Sequence, residues 1–350
     1  MKAAVYHGRE DVRIGDIHAP REPGAGQLLV SVARCGICGT DVAEYLTGPH
    51  LIPRAPHPAS GRSVPLTIGH EFTGRVVAVG PGVEGFAPGD RVASSAVVPC
   101  GKCRFCRRGQ TNLCEGYHAL GLQADGGLAE LVLVPQGSCA LIGDGCTDDN
   151  AALTQPLAVA MHAFHQTPHR SGEPMLLLGA GGIGSLYLAV AKSRGQTVYV
   201  ADPDPVALGR AEALGADGVA DLRNEELAGA LRRLTGEPSA ATVVECSGRE
   251  DALKAAVPLV ERGGTLMLVG LQTRPATLDL HRLVVDEITV ATSQALINAV
   301  DLPEAARLLS ERELAPWIVD RVIPLADLVK DGLVASAKGE VHGKVLVAVR

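Results

Sequence analysis

The stretch MLLLGAGGIG, residues 175–184, runs four apolar residues into a turn with glycines at 179, 181 and 184. A G-x-G-x-x-G string alone is weak. Its place gives it force: it follows an apolar run directly and opens the helical pattern GSLYLAVAKSRG (184–195). Glycines there allow a tight turn and let backbone N–H groups reach a pyrophosphate at a helix N-terminus. Gly179, Gly181, Ile183 and Gly184 are therefore candidate dinucleotide contacts. Asp202, 18 residues beyond Gly184, ends the next apolar run, TVYVAD. A carboxylate there can bind adenosine ribose hydroxyls and would repel a 2′-phosphate. Pro203 and Asp204 supply no positive charge to reverse that, so NAD is favoured over NADP. The bland alternative is a plain glycine turn with a surface aspartate.

Further short apolar runs, ATVVECSG (241–248), TLMLVG (265–270) and EITVAT (287–292), alternate with Ala/Leu-rich helical stretches. Such alternation predicts a doubly wound parallel sheet of the Rossmann type covered on both faces, the α/β class. Residues 1–150 differ. Runs such as LLVSVA, GRVVAVG and LAELVLVP recur between Pro and Gly, which predicts a β-rich region. GPHLIPRAPHPASGRSVP (48–65) reads as a long surface loop. The expected division is 1–152, 153–292 for the dinucleotide domain, and 293–350 returning to the first region.

CGKCRFCRRGQTNLC (100–114) holds four of the nine cysteines, Cys100, Cys103, Cys106 and Cys114. Cysteines this close in tight loops pair poorly as disulfides but converge readily on one tetrahedral Zn2+. Four thiolates close the coordination sphere, so the lobe (about 97–115) would be structural; an iron–sulfur cluster is the rival occupant. Chemistry must then lie elsewhere. ARCGICGTD (33–41) supplies Cys38, and IGHEFTG (68–74) supplies His70 and Glu71. Cys plus His is part of an open zinc site, although each also fits an ordinary core residue.

Taken together, the chain resembles the zinc-dependent medium-chain dehydrogenase/reductases, the alcohol and polyol dehydrogenase family, over nearly its whole length. Gly69-His70-Glu71 with Gly74, Gly80 and Val83 matches the zinc signature G-H-E-x2-G-x5-G-x2-V. CGICGTD, the four-cysteine lobe, GAGGIG and PLAVAMHA follow in the family's order. EYLTGPHLIPRAPHPASGRSVPLTIGHE is most similar to the (R,R)-2,3-butanediol dehydrogenases within that family.

The resemblance implies a GroES-like catalytic domain beside the Rossmann domain. It implies hydride transfer between NAD and a secondary alcohol, a small vicinal diol or hydroxyketone, with two Zn2+ per chain, one catalytic and one structural. Polyol or aminoalcohol oxidation is an alternative, and so is a non-catalytic NAD-binding sensor. Cys38 and His70 would be catalytic-zinc ligands, Glu71 would stand beside the metal, and Thr40 would pass on the substrate proton. Asp41 would fix the His70 imidazole. Ser247, Gly248, Val269, Gly270 and Leu271 would line the nicotinamide side.

Two residues depart from the family pattern. Relatives of the polyol type carry Glu as third ligand where this chain has Gln155. A neutral amide leaves more positive charge on the metal, which should make it a stronger Lewis acid held less tightly. Glu71 could compensate by coordinating directly, or Gln155 could bind through a water. Ala43 replaces a histidine that ends a proton relay in many relatives.

The 350 residues are 46% hydrophobic with 3% aromatics, and the net charge is -7. The core must be aliphatic, and no long basic run favours nucleic acid or an anionic membrane. No apolar stretch approaches a membrane span, and MKAAVYHGRE lacks a signal h-region. The clustered cysteines fit a cytoplasmic setting better than a secreted framework. A homodimer or homotetramer is the expected assembly.

Overall fold

The structure is a computed structural model describing residues 1–350 apart from Ser171 and Thr273. It separates into two compact units, Met1–Ala158 with Ala295–Arg350, and Val159–Gln294.

The first unit opens with strand β1 (Lys2–Gly8) and then β2 (Gln27–Gly36). Leu28, Val30 and Val32 alternate inward on β2 and are fully buried, as a period of two demands. Helix α1 (Gly39–Thr47) follows, then β3 (Glu71–Val79), β4 (Arg91–Ser94), β5 (Leu131–Pro135) and β6 (Cys139–Leu141). β3 pairs with β2 so that Glu71 faces Gly36 across the ladder. Between α1 and β3 the Pro-rich segment is less loose than its composition predicts. Ile52 enters the core, and the buried Glu44 carboxylate accepts the N–H groups of His50 (2.9 Å) and Leu51 (2.5 Å). Helix α2 (Thr154–Gln166) contains the point at which the first unit gives way to the second.

The second unit is a six-stranded parallel sheet. Its strands are β7 (Met175–Leu178), β8 (Val198–Asp202), β9 (Gly218–Asp221), β10 (Ala240–Glu245), β11 (Val260–Leu268) and β12 (Thr289–Thr292); helix α3 (Gly182–Ser193) joins β7 to β8, and further helices join the others. The order is β9-β8-β7-β10-β11-β12. β9 (GVAD) is too short, and too marked by Gly and Asp, to stand out in the sequence. β7 and β10 are buried along their whole length, as central strands covered on both faces must be. Strand order reverses between β7 and β10, and doubly wound sheets place ligands at the carboxyl ends of such neighbours. Leu178 and Glu245 lie side by side there.

The chain then returns to the first unit through helix α4 (Asp301–Glu311), β13 (Val319–Pro324) and β14 (Lys344–Ala348). β14 pairs antiparallel with β2, placing Leu346 opposite Gly36, and parallel with β13. The residues around Gly36 are thus drawn from three separated parts of the chain. Among the described residues, no helix is long and apolar enough to cross a membrane.

Candidate active site and metal centres

Cys38 is the N-cap of α1. Its extended backbone (φ -102°, ψ 157°) turns the chain from β2 into the helix. The Cys38 N–H donates to Asp41 Oδ2 at 2.9 Å, closing the first turn. The other carboxylate oxygen, Asp41 Oδ1, stands 3.4 Å from His70 Nδ1. Asp41 and His70 are buried, and neither of these two atoms has a hydrogen-bond partner within the usual limits. One carboxylate therefore bonds the Cys38 backbone and lies against the His70 ring. Burial alone would push His70 down. The Asp41 and Cys38 charges beside it outweigh this and set His70 well above its ordinary pKa. Gly69, at φ +97°, makes the corner before His70, and an added Cβ would lie 2.7 Å from Leu128 Cγ and 2.8 Å from Cys35 Sγ.

The ligand atoms of Cys38, His70 and Glu71 lie within 4.8 Å of one another. A thiol, an imidazole and a carboxylate converging beside a turn are a donor set suited to zinc. The Cys38 thiol donates to Thr40 Oγ1 at 3.8 Å, so the Thr40 hydroxyl is part of the same cluster.

The structure adds a residue the sequence reading missed. Lys344, first in β14, donates through Nζ to Glu71 Oε1 (2.9 Å) and Oε2 (2.6 Å). Both side chains are buried, at 9% and 3% exposure, so neither charge is tolerable without the other. Burial lowers the Lys344 pKa, but the Glu71 carboxylate and its neighbours more than reverse this and hold it raised. Gly36 makes room: an added Cβ would stand 2.5 Å from Glu71 Oε2 and 3.5 Å from Lys344 Cδ. The available signal was a lysine opening an otherwise apolar strand, KVLVAV, with no partner in view.

Gln155 is buried in the first turn of α2, beside the fully buried Thr154. Ala43 is exposed on α1.

The sulfurs of Cys100, Cys103, Cys106 and Cys114 also lie within 4.8 Å of one another, and all four cysteines are free. Cys103 Sγ and Cys106 Sγ are 3.5 Å apart. Tetrahedral zinc with bonds of about 2.3 Å needs sulfur separations of about 3.8 Å, so the set fits such an ion. The N–H groups of Cys106 and Glu115 draw the Cys103 thiol down to about 6. Burial and its sulfur neighbours push Cys106 up to about 12. Four crowded sulfurs cannot all ionise without a cation among them, and a dication resolves that conflict.

At the switch point of the second unit, Gly179 has φ +90°, and an added Cβ would lie 3.0 Å from the Ser247 nitrogen. Gly181, the N-cap of α3, is exposed and has no side-chain cap, while Gly184 is buried against Cys246. The first turn of α3 thus presents N–H donors at an uncovered helix start. Asp202 ends β8 beside this turn. Its Oδ2 accepts from Ala180 N–H and its Oδ1 from Asp204 N–H, each at 2.7 Å. Lone pairs remain for ribose hydroxyls. Gly248 packs on Leu271, and Gly270 on Gly248. The turns after β7, β10 and β11 are therefore one assembly, which includes Gly179, Ser247, Val269, Gly270 and Leu271.

Comparison with known proteins agrees. Residues 24–144 match the alcohol dehydrogenase GroES-like domain, and residues 182–311 match the zinc-binding dehydrogenase domain. The chain belongs to the zinc-type alcohol and polyol dehydrogenases and is an oxidoreductase. It is 33% identical to an (R,R)-butanediol dehydrogenase of Neisseria gonorrhoeae, over 95% of this chain and 94% of the relative. It is 34% identical to a sorbitol dehydrogenase of Halalkalibacterium halodurans, over 90% of each. The crystal structure of 2R,3R-butanediol dehydrogenase from Bacillus subtilis superimposes with a TM-score of 0.90 at 31% identity, covering 100% of this chain and 99% of that one. The expected family and its pairing of a GroES-like domain with a parallel-sheet domain both hold.

Proposed function

We propose that this chain is an NAD-linked, zinc-dependent dehydrogenase of a small secondary alcohol, a vicinal diol or its hydroxyketone. The supporting observation is the Cys38–His70–Glu71 cluster, in which Asp41 bonds the Cys38 backbone and lies 3.4 Å from the His70 ring. Cys38 and His70 would hold the catalytic zinc. Gln155, Glu71 or both would complete the set; Lys344 bonds both oxygens of Glu71 and neutralises its charge, which favours Gln155. Cys100, Cys103, Cys106 and Cys114 would hold a structural zinc with no open position.

Zinc at the first site would supply Lewis acidity toward the alcohol oxygen, and NAD would accept the hydride. The residues do the rest. Asp41 keeps the imidazole in one orientation and tautomer. The Thr40 hydroxyl, beside Cys38, receives the substrate proton and releases its own outward. Glu71, neutralised by Lys344, adds little net charge to the site. The N–H groups at Gly181, Gly182 and Ile183 hold the pyrophosphate, and Asp202 holds the adenosine ribose and disfavours a 2′-phosphate. Ser247, Val269, Gly270 and Leu271 flank the nicotinamide.

The test is NADH formation over a panel of vicinal diols, polyols and monohydric secondary alcohols, with native and zinc-stripped protein. Butanediol-type diols should be oxidised fastest, with activity lost on stripping and regained with zinc. Preference for sorbitol-type polyols would move the substrate to the other relatives' class. Activity indifferent to zinc would refute the proposal.

A further inference from the structure

Glu245 ends β10 at the switch point, and its side chain is fully buried beneath the exposed Ser247 turn. A buried carboxylate is costly unless its oxygens are hydrogen-bonded. Here they are bonded to the turn that follows. Oε1 accepts from Ser247 N–H (2.6 Å), from the Ser247 hydroxyl and from Gly248 N–H (3.0 Å). Oε2 lies 3.4 Å from Gln272 Nε2. The backbone carbonyl of the same residue accepts from Val269 N–H (2.8 Å) and Gly270 N–H (2.9 Å), which belong to the turn after β11.

One residue therefore uses its carboxylate for one turn and its carbonyl for the other. The two turns close on each other over it. A Cβ at Gly270 would collide with the Gly248 nitrogen and stand 2.9 Å from Glu245 Oε2, and one at Gly248 would stand 2.6 Å from Leu271 O. The Ser247 nitrogen also lies against Gly179, so the clamp reaches the glycine turn.

We infer that Glu245 is a positioning residue for the nicotinamide end of the cofactor: it holds the Ser247–Gly248 and Val269–Gly270 turns in the one arrangement that forms that wall. This rests on the proposed NAD reading of the same turns. The carboxylate and carbonyl hydrogen bonds of Glu245 go to the Ser247–Gly248 and Val269–Gly270 turns and Gln272, not to Gly181 or Asp202, where the adenosine half would sit, so the two halves of the cofactor should respond differently to its loss.

The test is calorimetric binding of NADH and of ADP-ribose, which lacks only the nicotinamide, to wild type and to Glu245→Gln. The amide keeps an acceptor toward Ser247 and Gly248 but sets an –NH2 at the Oε2 position, against Gly248 N–H (3.3 Å) and the Gln272 amide, and removes the charge that strengthens all of these bonds. NADH should weaken by about tenfold to a hundredfold, while ADP-ribose changes by about twofold or less. Unchanged binding of both would overturn the clamp. Equal loss of both by folded variant would also overturn it, because that is what general damage to the unit produces. Should Glu245→Gln fail to fold, Ser247→Ala, which removes one hydroxyl bond, decides by the same pair of readings with a smaller shift expected for NADH alone. Wild type that binds neither nucleotide would defeat the cofactor reading and the clamp with it.

Discussion

Two clusters of soft donors sit in the same unit and are built in opposite ways. The four cysteines of the lobe come from fifteen consecutive residues, Cys100 to Cys114, and are organised by their own turns. Cys38 comes from the start of α1 and His70 with Glu71 from the start of β3, and the ion pair that anchors Glu71 spans 273 residues to Lys344. The first set offers four like thiols to one ion. The second mixes thiol, imidazole and carboxylate, surrounded by Thr40, Asp41 and Lys344. A local set can hold an ion whatever the rest of the fold does. An assembled set makes the site depend on the sheet, and places groups beside the ligands that can tune it.

The sharpest way to break this contrast is His70→Ala. NADH formation should fall by ~10^3–10^4-fold, since removing a Lewis acid removes several kcal/mol of stabilisation. The lobe should keep its zinc. Metal analysis beside the activity assay checks both halves, and loss of both ions would show the clusters are coupled.

Next is Lys344→Met, which strands the Glu71 charge in the interior. Denaturant unfolding should show a loss of about 3–5 kcal/mol. Adding Glu71→Gln should recover most of it, because no uncompensated charge then remains. Without that recovery, packing rather than charge explains the lysine.

Asp41→Asn is milder. It keeps the shape but weakens the hold on His70, so affinity for the chelator-labile zinc should drop by about 10–100-fold in competition titrations. The four-cysteine zinc should not respond. The smallest effect is expected from Gln155→Glu. Restoring a charged ligand should slow zinc loss to a chelator and raise the pH at which turnover becomes half-maximal, since a less positive metal acidifies the alcohol less. Identical chelator kinetics would remove Gln155 from the ligand set.

The same contrast explains what could be read from sequence. The glycine turn at 179–184 and the cysteine lobe were legible because their chemistry is written in adjacent residues. The apolar runs of β7 and β10 were legible because central parallel strands are continuously buried, and those of β8 and β11 because most of each run is buried. β9 was not, because GVAD is four residues long and only partly buried. Lys344 and Glu245 were missed for one physical reason. Each reads as the polar end of an apolar strand, KVLVAV or ATVVE, and only the paired strands reveal what that end touches. Glu44 was likewise silent: its carboxylate pins the Pro-rich segment that composition suggests is loose. Gln155 was visible only as a departure from relatives; the structure adds its burial in the first turn of α2.

The central claim is that the assembled cluster, not the lobe, holds the reactive metal. Zinc-edge anomalous scattering from crystals of turnover-competent protein tests it most directly. One peak should appear among Cys100, Cys103, Cys106 and Cys114, and a second beside Cys38 and His70. A single peak confined to the lobe, in crystals that still oxidise the alcohol, would contradict it.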